Sequence, residues 1–311
     1  MKLQYENIID KHKDTAAVIA LHGPSLNKHK EKIEQLQNQK KVIRFSVNEW
    51  YDFFNVNPDY WVVSNGEFTV KASMTDDPLW RFRNYPPDVF NKYKIPLLYN
   101  SSVDLSEDVY LNKLKCDYFQ YDIKHFKGHS CKEILLNFKK HYSENKNLEF
   151  YGYGNNCHMW QKPDVKDFPD WIKNIHGKIA GAWNVRSKCC KSRLDITLQE
   201  KLQQLSGYDK HAGPLATVGF CAISIAIIMG CNPIYISGLD LDYSLGYADS
   251  DYDYSSQINA GNIGHWKKIY KKSILNDMSI INESAKRLDK KIINLNKDSW
   301  YDVFTKGDLN L

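Results

Sequence analysis

One histidine, two tyrosines and a glycine turn are the groups in this sequence whose types and spacing suggest chemistry. His265 follows a glycine beside a polar loop, and because histidine titrates near neutral pH it is the leading candidate for a general base. Tyr243 and Tyr247 belong to an acidic, tyrosine-rich segment and can donate hydrogen bonds to a departing phosphate. A histidine at a helix start is, on its own, more often structural. Combined with the turn at 23–25 and with polar residues after predicted strands, the set indicates group transfer from an activated donor.

The glycine turn follows a run that predicts a buried parallel strand, TAAVIAL at 15–21. Gly23 allows a close backbone approach, Pro24 suits a first helical turn, and Ser25 can satisfy free amide groups there. A strand, a glycine turn and a helix amino terminus together favour an anion such as phosphate. The stretch has no P-loop lysine and no GxGxxG pattern, so neither a Walker site nor a dinucleotide site is supported.

Two further predicted strands end in asparagine. KVIRFSV at 41–47 is followed by Asn48, which can hydrogen-bond a base or a ribose, and YWVVS at 60–64 is followed by Asn65. Alone, Asn48 is better explained as a turn cap. Three consecutive strands that end in polar residues favour a shared cleft over three unrelated turns.

The stretch 216–242 organises the rest of the chain. Its apolar run at 220–229 predicts a buried helix that is too short to cross a bilayer, and residues 234–236 predict a buried strand. In open α/β sheets, ligands bind outside the carboxyl ends of the strands. The polar and glycine residues after this strand are therefore site candidates: Ser237, Gly238 and Asp240.

Composition indicates a globular protein and excludes several classes. The 311 residues carry 42 basic and 37 acidic side chains without a long basic block, which argues against a nucleic-acid groove. Seven scattered cysteines without metal-type spacing indicate reduced thiols. There is neither a secretory h-region nor a run of eighteen apolar residues. We expect a cytoplasmic protein without a transmembrane segment, which leaves open peripheral contact with the inner face of the membrane and a homo-oligomer.

Five short motifs, in order along the chain, resemble the bacterial sialyltransferases of glycosyltransferase family 42 and the related motility-accessory-factor type glycosyltransferases. Where that family has GNGPSL, CNQ, TSG, SGIDFY and IGH, this sequence has HGPSL at 22–26, VNE at 47–49, TVG at 217–219, SGLDLDY at 237–243 and IGH at 263–265. The agreement in order and approximate spacing is much more specific than any one motif. Only 71–207 does not align.

The resemblance implies an α/β fold with a single Rossmann-like, mostly parallel sheet flanked by helices, a GT-A-like variant with an inserted lid or small subdomain. We expect one glycosyltransferase-like domain over 1–311. Residues 71–207 would include an insertion or acceptor-side subdomain, and 243–262 would form a mobile lid loop.

The resemblance also implies a reaction. The donor would be a CMP-activated acidic sugar such as a sialic acid, the acceptor a hydroxyl of a glycan or lipooligosaccharide, the displacement inverting, and neither a metal nor another cofactor would be required. Tyr243 and Tyr247 would bond the leaving phosphate, and His265 would take the acceptor's proton. The implied donor contacts are His22, Gly23 and Ser25 at the nucleotide, Asn48 at the cytidine or ribose, Asn65 near the sugar, and Thr217 and Gly219 around the carboxylate.

Four positions depart from the family pattern. His22 replaces an asparagine, Leu215 an arginine, Val218 a serine that helps to bind the donor carboxylate, and Asn262 a tyrosine. Losing one hydroxyl partner of a carboxylate costs about 1 to 3 kcal/mol if nothing substitutes for it. A different acidic sugar, such as Kdo or another bacterial nonulosonate, is therefore a credible donor.

Three alternatives use the same residues. Asp240 and Asp242 form a DxD pattern, by which many glycosyltransferases hold Mn²⁺ or Mg²⁺ and a nucleotide-diphosphate sugar. The GPSL and SGLDL motifs also resemble archaeal pterin diphosphokinases. A nucleotide-binding or degenerate scaffold is supported by Val218 and Leu215, but the proposed base, His265, is retained.

Overall fold

The chain divides into two compact units in a computed structural model. The main unit consists of Leu3–Val62, Gln199–Gly213 and Gly219–Leu311, and the middle unit of Met1–Lys2, Val63–Leu198 and Pro214–Val218. The structure describes residues 2–47, 53–63, 92–100, 115–121, 150–152, 157–159, 198–210, 218–240, 248 and 263–311. The predicted insertion at 71–207 and lid at 243–262 lie largely outside these residues and stay predictions.

The main unit is built on parallel strands. In chain order these strands are β2 (Ala17–Ala20), β3 (Ile43–Val47), β4 (Tyr60–Val63), β9 (Ile234–Ser237), β10 (Ile292–Asn294) and β11 (Thr305–Lys306). Their order across the sheet is β4, β3, β2, β9, β10, β11, and every pairing is parallel. The predicted α/β fold with a mostly parallel sheet is confirmed.

The three central strands end together. The last residue of β2, Ala20, lies opposite Ser46 of β3 and Ser237 of β9. β2, β4 and β9 are buried along their whole length, as expected for parallel strands covered on both faces, and this explains their continuous apolar sequences. The residues after β2 and β9 therefore emerge side by side.

The predicted central helix is α4, Val218–Ile228, and it is buried on all sides. Its last carbonyl groups have no partner within the helix. A loop near the amino terminus supplies hydrogen-bond donors to this end of the helix. The N–H groups of Asp10 and His12 bond the carbonyls of Ile228 and of the next residue, Met229, at 3.0 and 2.8 Å. Gly230 then turns the chain with a φ of 82°, which favours glycine. This anchored end fixes where β9 begins.

The longer helices of the main unit flank the sheet strands in the sequence. The helix start predicted at Pro24 is a 3₁₀ helix, Pro24–Lys28, and the chain continues as α2, Lys30–Asn38, which buries Ile33 and Leu36. α3 spans Leu198–Ser206, and α5 spans Ile263–Arg287. No helix in the described ranges is long and apolar enough to cross a membrane.

The other elements are short. β1 (Lys2–Leu3) and α1 (Tyr5–Ile8) open the chain. In the middle unit, β5 (Leu97–Asn100) pairs in parallel with β6 (Tyr118–Tyr121). There, β7 (Phe150–Gly152) pairs antiparallel with β8 (Cys157–Met159).

Candidate functional site

Two glycines allow the backbone segments that follow β2 and β9 to pack directly against each other. The N–H of Gly23 donates to the carbonyl of Gly238 at 3.0 Å. A Cβ on Gly23 would lie 2.5 Å from that carbonyl oxygen, and a Cβ on Gly238 would lie 2.3 Å from the carbonyl oxygen of Leu21. Gly238 also has a φ of 81°, in the region that favours glycine. Side chains at either position would force the two strand ends apart.

The Asp240 carboxylate lies against the glycine turn. Its Oδ2 accepts the N–H of Ser25 at 2.9 Å, and its Oδ1 accepts the side-chain amide of Asn296, which follows β10. Asp240 as a whole is only 5% exposed. The sequence predicted that the amides of this turn favour an anion, and the anion on the Ser25 amide is a carboxylate of the same chain.

The Ser25 hydroxyl has a different environment from the Ser25 amide. The residue is 7% exposed, and Ser25 Oγ has no hydrogen-bond partner among the described residues. Buried polar groups are usually paired, so an unpaired hydroxyl beside a strand end invites a functional explanation. It is a group that could bond to a ligand.

Ala248 connects the tyrosine-rich segment to the same turn. It is the residue after Tyr247 in the sequence, and its N–H donates to the carbonyl of His22 at 2.8 Å. The side chain of His22 is half-buried. Ala248, the sequence neighbour of Tyr247, is thereby bonded to the chain just after β2.

The Ser237 side chain is hydrogen-bonded to another part of the protein. Its side chain is fully buried, and its Oγ lies 3.1 Å from Nδ1 of His29, the residue between the 3₁₀ helix and α2. Burial lowers the pKa of His29 below its ordinary 6.5, and the Ser25 backbone and the neighbouring acids oppose this only in part. The lowered pKa favours the neutral imidazole, which suits a hydrogen bond with a hydroxyl.

The remaining predicted residues are divided between described and undescribed parts of the chain. Gly219 is buried at the start of α4, and His265 is the third residue of α5. The predicted residues outside the described ranges are Asn48, Asn65, Thr217, Tyr243 and Tyr247. Their roles stay predictions.

Two polar residues of this region were missed by the sequence analysis. Asn296 lies two residues after β10, whose sequence IIN follows the β-branched pattern of a strand, so the rule that polar residues gather at strand ends would have found it. His29 carried no such signal, because it looked like one more polar residue of a surface helix. In the described part of the chain, no three His, Cys, Asp or Glu side chains are grouped so that they could hold a metal ion.

Comparison with known proteins finds similar solved structures only. No protein-family model matches the chain, and no curated protein matches it significantly in sequence. The similar structures include the sialyltransferase CstII from Campylobacter jejuni with a substrate analogue, CMP-3FNeuAc, at 14% identity and a TM-score of 0.35, covering 94% of this chain and 85% of that one.

Two further structures are described as this sialyltransferase with other molecules. The complex with cytidine-5'-monophosphate has 15% identity and a TM-score of 0.36, covering 94% of this chain and 85% of that one. The complex with a trisaccharide acceptor and CMP has 15% identity and a TM-score of 0.35, covering 93% and 84%. These matches are to sialyltransferases, the enzymes that the five motifs resemble.

Proposed function

We propose that this protein is a glycosyltransferase that moves an acidic sugar from a CMP-activated donor to a hydroxyl of a glycan acceptor. The observation that carries the proposal is the joining of two separate motifs, HGPSL and SGLDLDY, at the carboxyl ends of adjacent parallel strands. The Gly23 N–H bonds the Gly238 carbonyl, and the Ser25 N–H bonds the Asp240 carboxylate. This edge is where open α/β sheets bind their ligands.

The nucleotide would lie against the turn at 22–26. The hydroxyl of Ser25 supports this assignment, because it is buried and has no hydrogen-bond partner in the described ranges. Backbone groups at the turn are largely committed, since the N–H groups of Gly23 and Ser25 both bond within the protein. Recognition would then rest on the side chains of Ser25 and His22, with Asn48 at the base or ribose.

The leaving phosphate would be met by the phenols of Tyr243 and Tyr247. The bond from the Ala248 N–H to the His22 carbonyl supports this, because Ala248 directly follows Tyr247 in the sequence. CMP is a good leaving group, and hydrogen bonds placed where charge develops lower the barrier to its departure. Under this proposal the reaction requires no metal.

The transfer itself is an inverting displacement. The acceptor oxygen attacks the anomeric carbon as the bond from that carbon to the CMP phosphate breaks, and His265 takes the proton of the acceptor hydroxyl. Thr217 and Gly219 would lie around the donor carboxylate. Val218 stands between them at the start of α4, where the family has a serine, so the donor is a sialic-acid-like sugar or another acidic sugar such as Kdo.

Release of CMP tests the proposal directly. The protein is incubated with CMP-activated sialic acid or Kdo and with a lipooligosaccharide acceptor, with and without EDTA. We expect acceptor-dependent release of CMP that EDTA leaves unchanged. Activity that requires Mn²⁺ and a nucleotide-diphosphate sugar would favour the DxD mechanism, and pyrophosphoryl transfer from ATP to hydroxymethylpterin would favour a diphosphokinase.

Ser25→Ala is expected to weaken CMP binding without destabilising the protein. A neutral hydrogen bond contributes about 0.5–1.5 kcal/mol, which corresponds to a roughly 2- to 12-fold higher dissociation constant. Isothermal titration with CMP and a thermal unfolding curve give the two quantities. Ser224→Ala is the matched control, because Ser224 is 1% exposed and its hydroxyl also has no partner among the described residues, but it lies in α4. Equal CMP affinities of the Ser25 variant and the parent would remove this hydroxyl from the site.

A further inference from the structure

The geometry points to a positioning role for Asp240 that deepens the proposed function and rests on it. Asp240, together with Asn296, fixes the glycine turn at 22–26 in the shape that receives the donor nucleotide. Asp240 contacts neither the donor nor a metal ion in this role. The notable property of the pair is that it joins three strand ends, those of β2, β9 and β10.

Both oxygens of the Asp240 carboxylate face donors of the protein. Oδ2 accepts the Ser25 N–H at 2.9 Å, although 215 residues separate the two in sequence, and Oδ1 accepts the amide of Asn296. An ionised carboxylate is an acceptor at both oxygens, whereas an amide offers an acceptor on one side only. The two donors therefore require an acid at this position, and an asparagine could satisfy only one of them.

The orientation of the Asn296 amide is fixed by its other hydrogen bond. Its Oδ1 accepts the N–H of Asp298 at 3.1 Å, so its Nδ2 must point to Asp240. Its own N–H donates to Oδ1 of Asn294 at 3.1 Å. Ser299 adds a bond from its hydroxyl to the carbonyl of Leu239 at 3.3 Å. The segment after β10 thus holds the end of β9 in place.

The turn is fitted closely to this carboxylate. A Cβ on Gly23 would lie 2.1 Å from Oδ2 of Asp240, so the backbone of the turn rests directly on the carboxyl group. With an amide in place of the carboxylate, only one of the Ser25 N–H and the Asn296 Nδ2 keeps its acceptor, and the turn is held less tightly. Because the Ser25 hydroxyl sits on the same residue, its position depends on Asp240.

An exchange of the two side-chain types tests the inference. In Asp240→Asn, the amide NH₂ of residue 240 must face either the Ser25 N–H or the Asn296 amide, both of which are donors. In Asn296→Asp, two carboxylates face each other. The double variant, which combines both changes, restores a donor facing an acceptor while an oxygen remains for the Ser25 N–H. Asp302→Asn is the control, since the Asp302 side chain is 80% exposed and its ion pair is with Lys306 and not with the turn.

Two readouts separate the inference from the proposed function. Hydrogen exchange of the Ser25 amide, followed by NMR without ligand, should accelerate at least about tenfold in each single variant, equivalent to about 1.4 kcal/mol, and return toward the parent rate in the double variant. The CMP dissociation constant should rise and recover in the same order. The Asp302 variant should match the parent in both.

The opposite results are clear. If Asp240→Asn leaves both the exchange rate of the Ser25 amide and the CMP affinity unchanged, the inference is overturned. It is also overturned if this variant loses sugar transfer while the exchange rate and the CMP affinity stay intact, because Asp240 would then act on the chemistry or on a metal. If Asp240→Asn does not fold, recovery or its absence in the double variant decides. A parent protein that does not bind CMP would overturn the proposed function, whereas the Ser25 exchange rate would still show whether Asp240 holds the turn.

Discussion

His265→Ala is expected to lower kcat for sugar transfer by about 10²- to 10⁴-fold, the usual contribution of a general base. Without the imidazole, the acceptor hydroxyl must give its proton to water while it attacks. Binding of the donor nucleotide does not depend on this step, so the CMP dissociation constant should stay near that of the parent. Single-turnover transfer and isothermal titration measure the two effects separately.

His12→Gln is the matched control for the His265 variant. His12 lies near the amino end of β4, where its Nε2 is 2.7 Å from the hydroxyl of Tyr60, and glutamine can keep a hydrogen bond there. The His12→Gln variant should transfer sugar at the parent rate. Transfer by His265→Ala at the parent rate would show that the base is another group.

Gly23→Ala is expected to damage both folding and CMP binding. The added Cβ would meet Oδ2 of Asp240 at 2.1 Å and the carbonyl oxygen of Gly238 at 2.5 Å. The second of these is backbone at the end of a buried strand and cannot swing away. Overpacking of this kind costs about 1–3 kcal/mol, and displacement of the turn should weaken CMP binding at least about tenfold. Urea unfolding and titration with CMP check the two expectations.

Gly207→Ala separates instability from loss of the site. Gly207 has a φ of 64°, so alanine there should cost roughly 1–2 kcal/mol through backbone strain. Its Cβ would meet no atom of the described residues within 4 Å. This control should be destabilised yet bind CMP as the parent does. If the Gly23 variant also binds CMP normally, the turn does not hold the nucleotide.

The main elements of the sheet could be predicted because each depends on a short, continuous stretch of sequence. The run TAAVIAL gave β2, and the apolar stretch followed by a turn and a β-branched burst gave α4 and β9, since burial on all sides leaves no polar alternation. The meeting of Gly23 with Gly238 could also be anticipated, because the ends of parallel strands share one edge.

The role of Asp240 could not be predicted in the same way. The sequence places an acid after a strand, but whether it faces solvent, a metal or the neighbouring turn depends on contacts with Ser25 and Asn296. Such contacts are set by packing across strands and have no local pattern. The same holds for the pairing of His29 with Ser237, which brings together residues from two different elements.

A thermal-shift panel of CMP, CDP, UDP, GDP and ATP, each with and without EDTA, tests most directly whether this edge of the sheet binds a cytidine monophosphate. A ligand that binds only the folded protein stabilises it by about 2.7 kcal/mol at a hundred times its dissociation constant. We expect CMP to raise the unfolding temperature most, with no change in EDTA. No shift with CMP, or a larger shift with ATP or UDP that EDTA removes, would contradict the account.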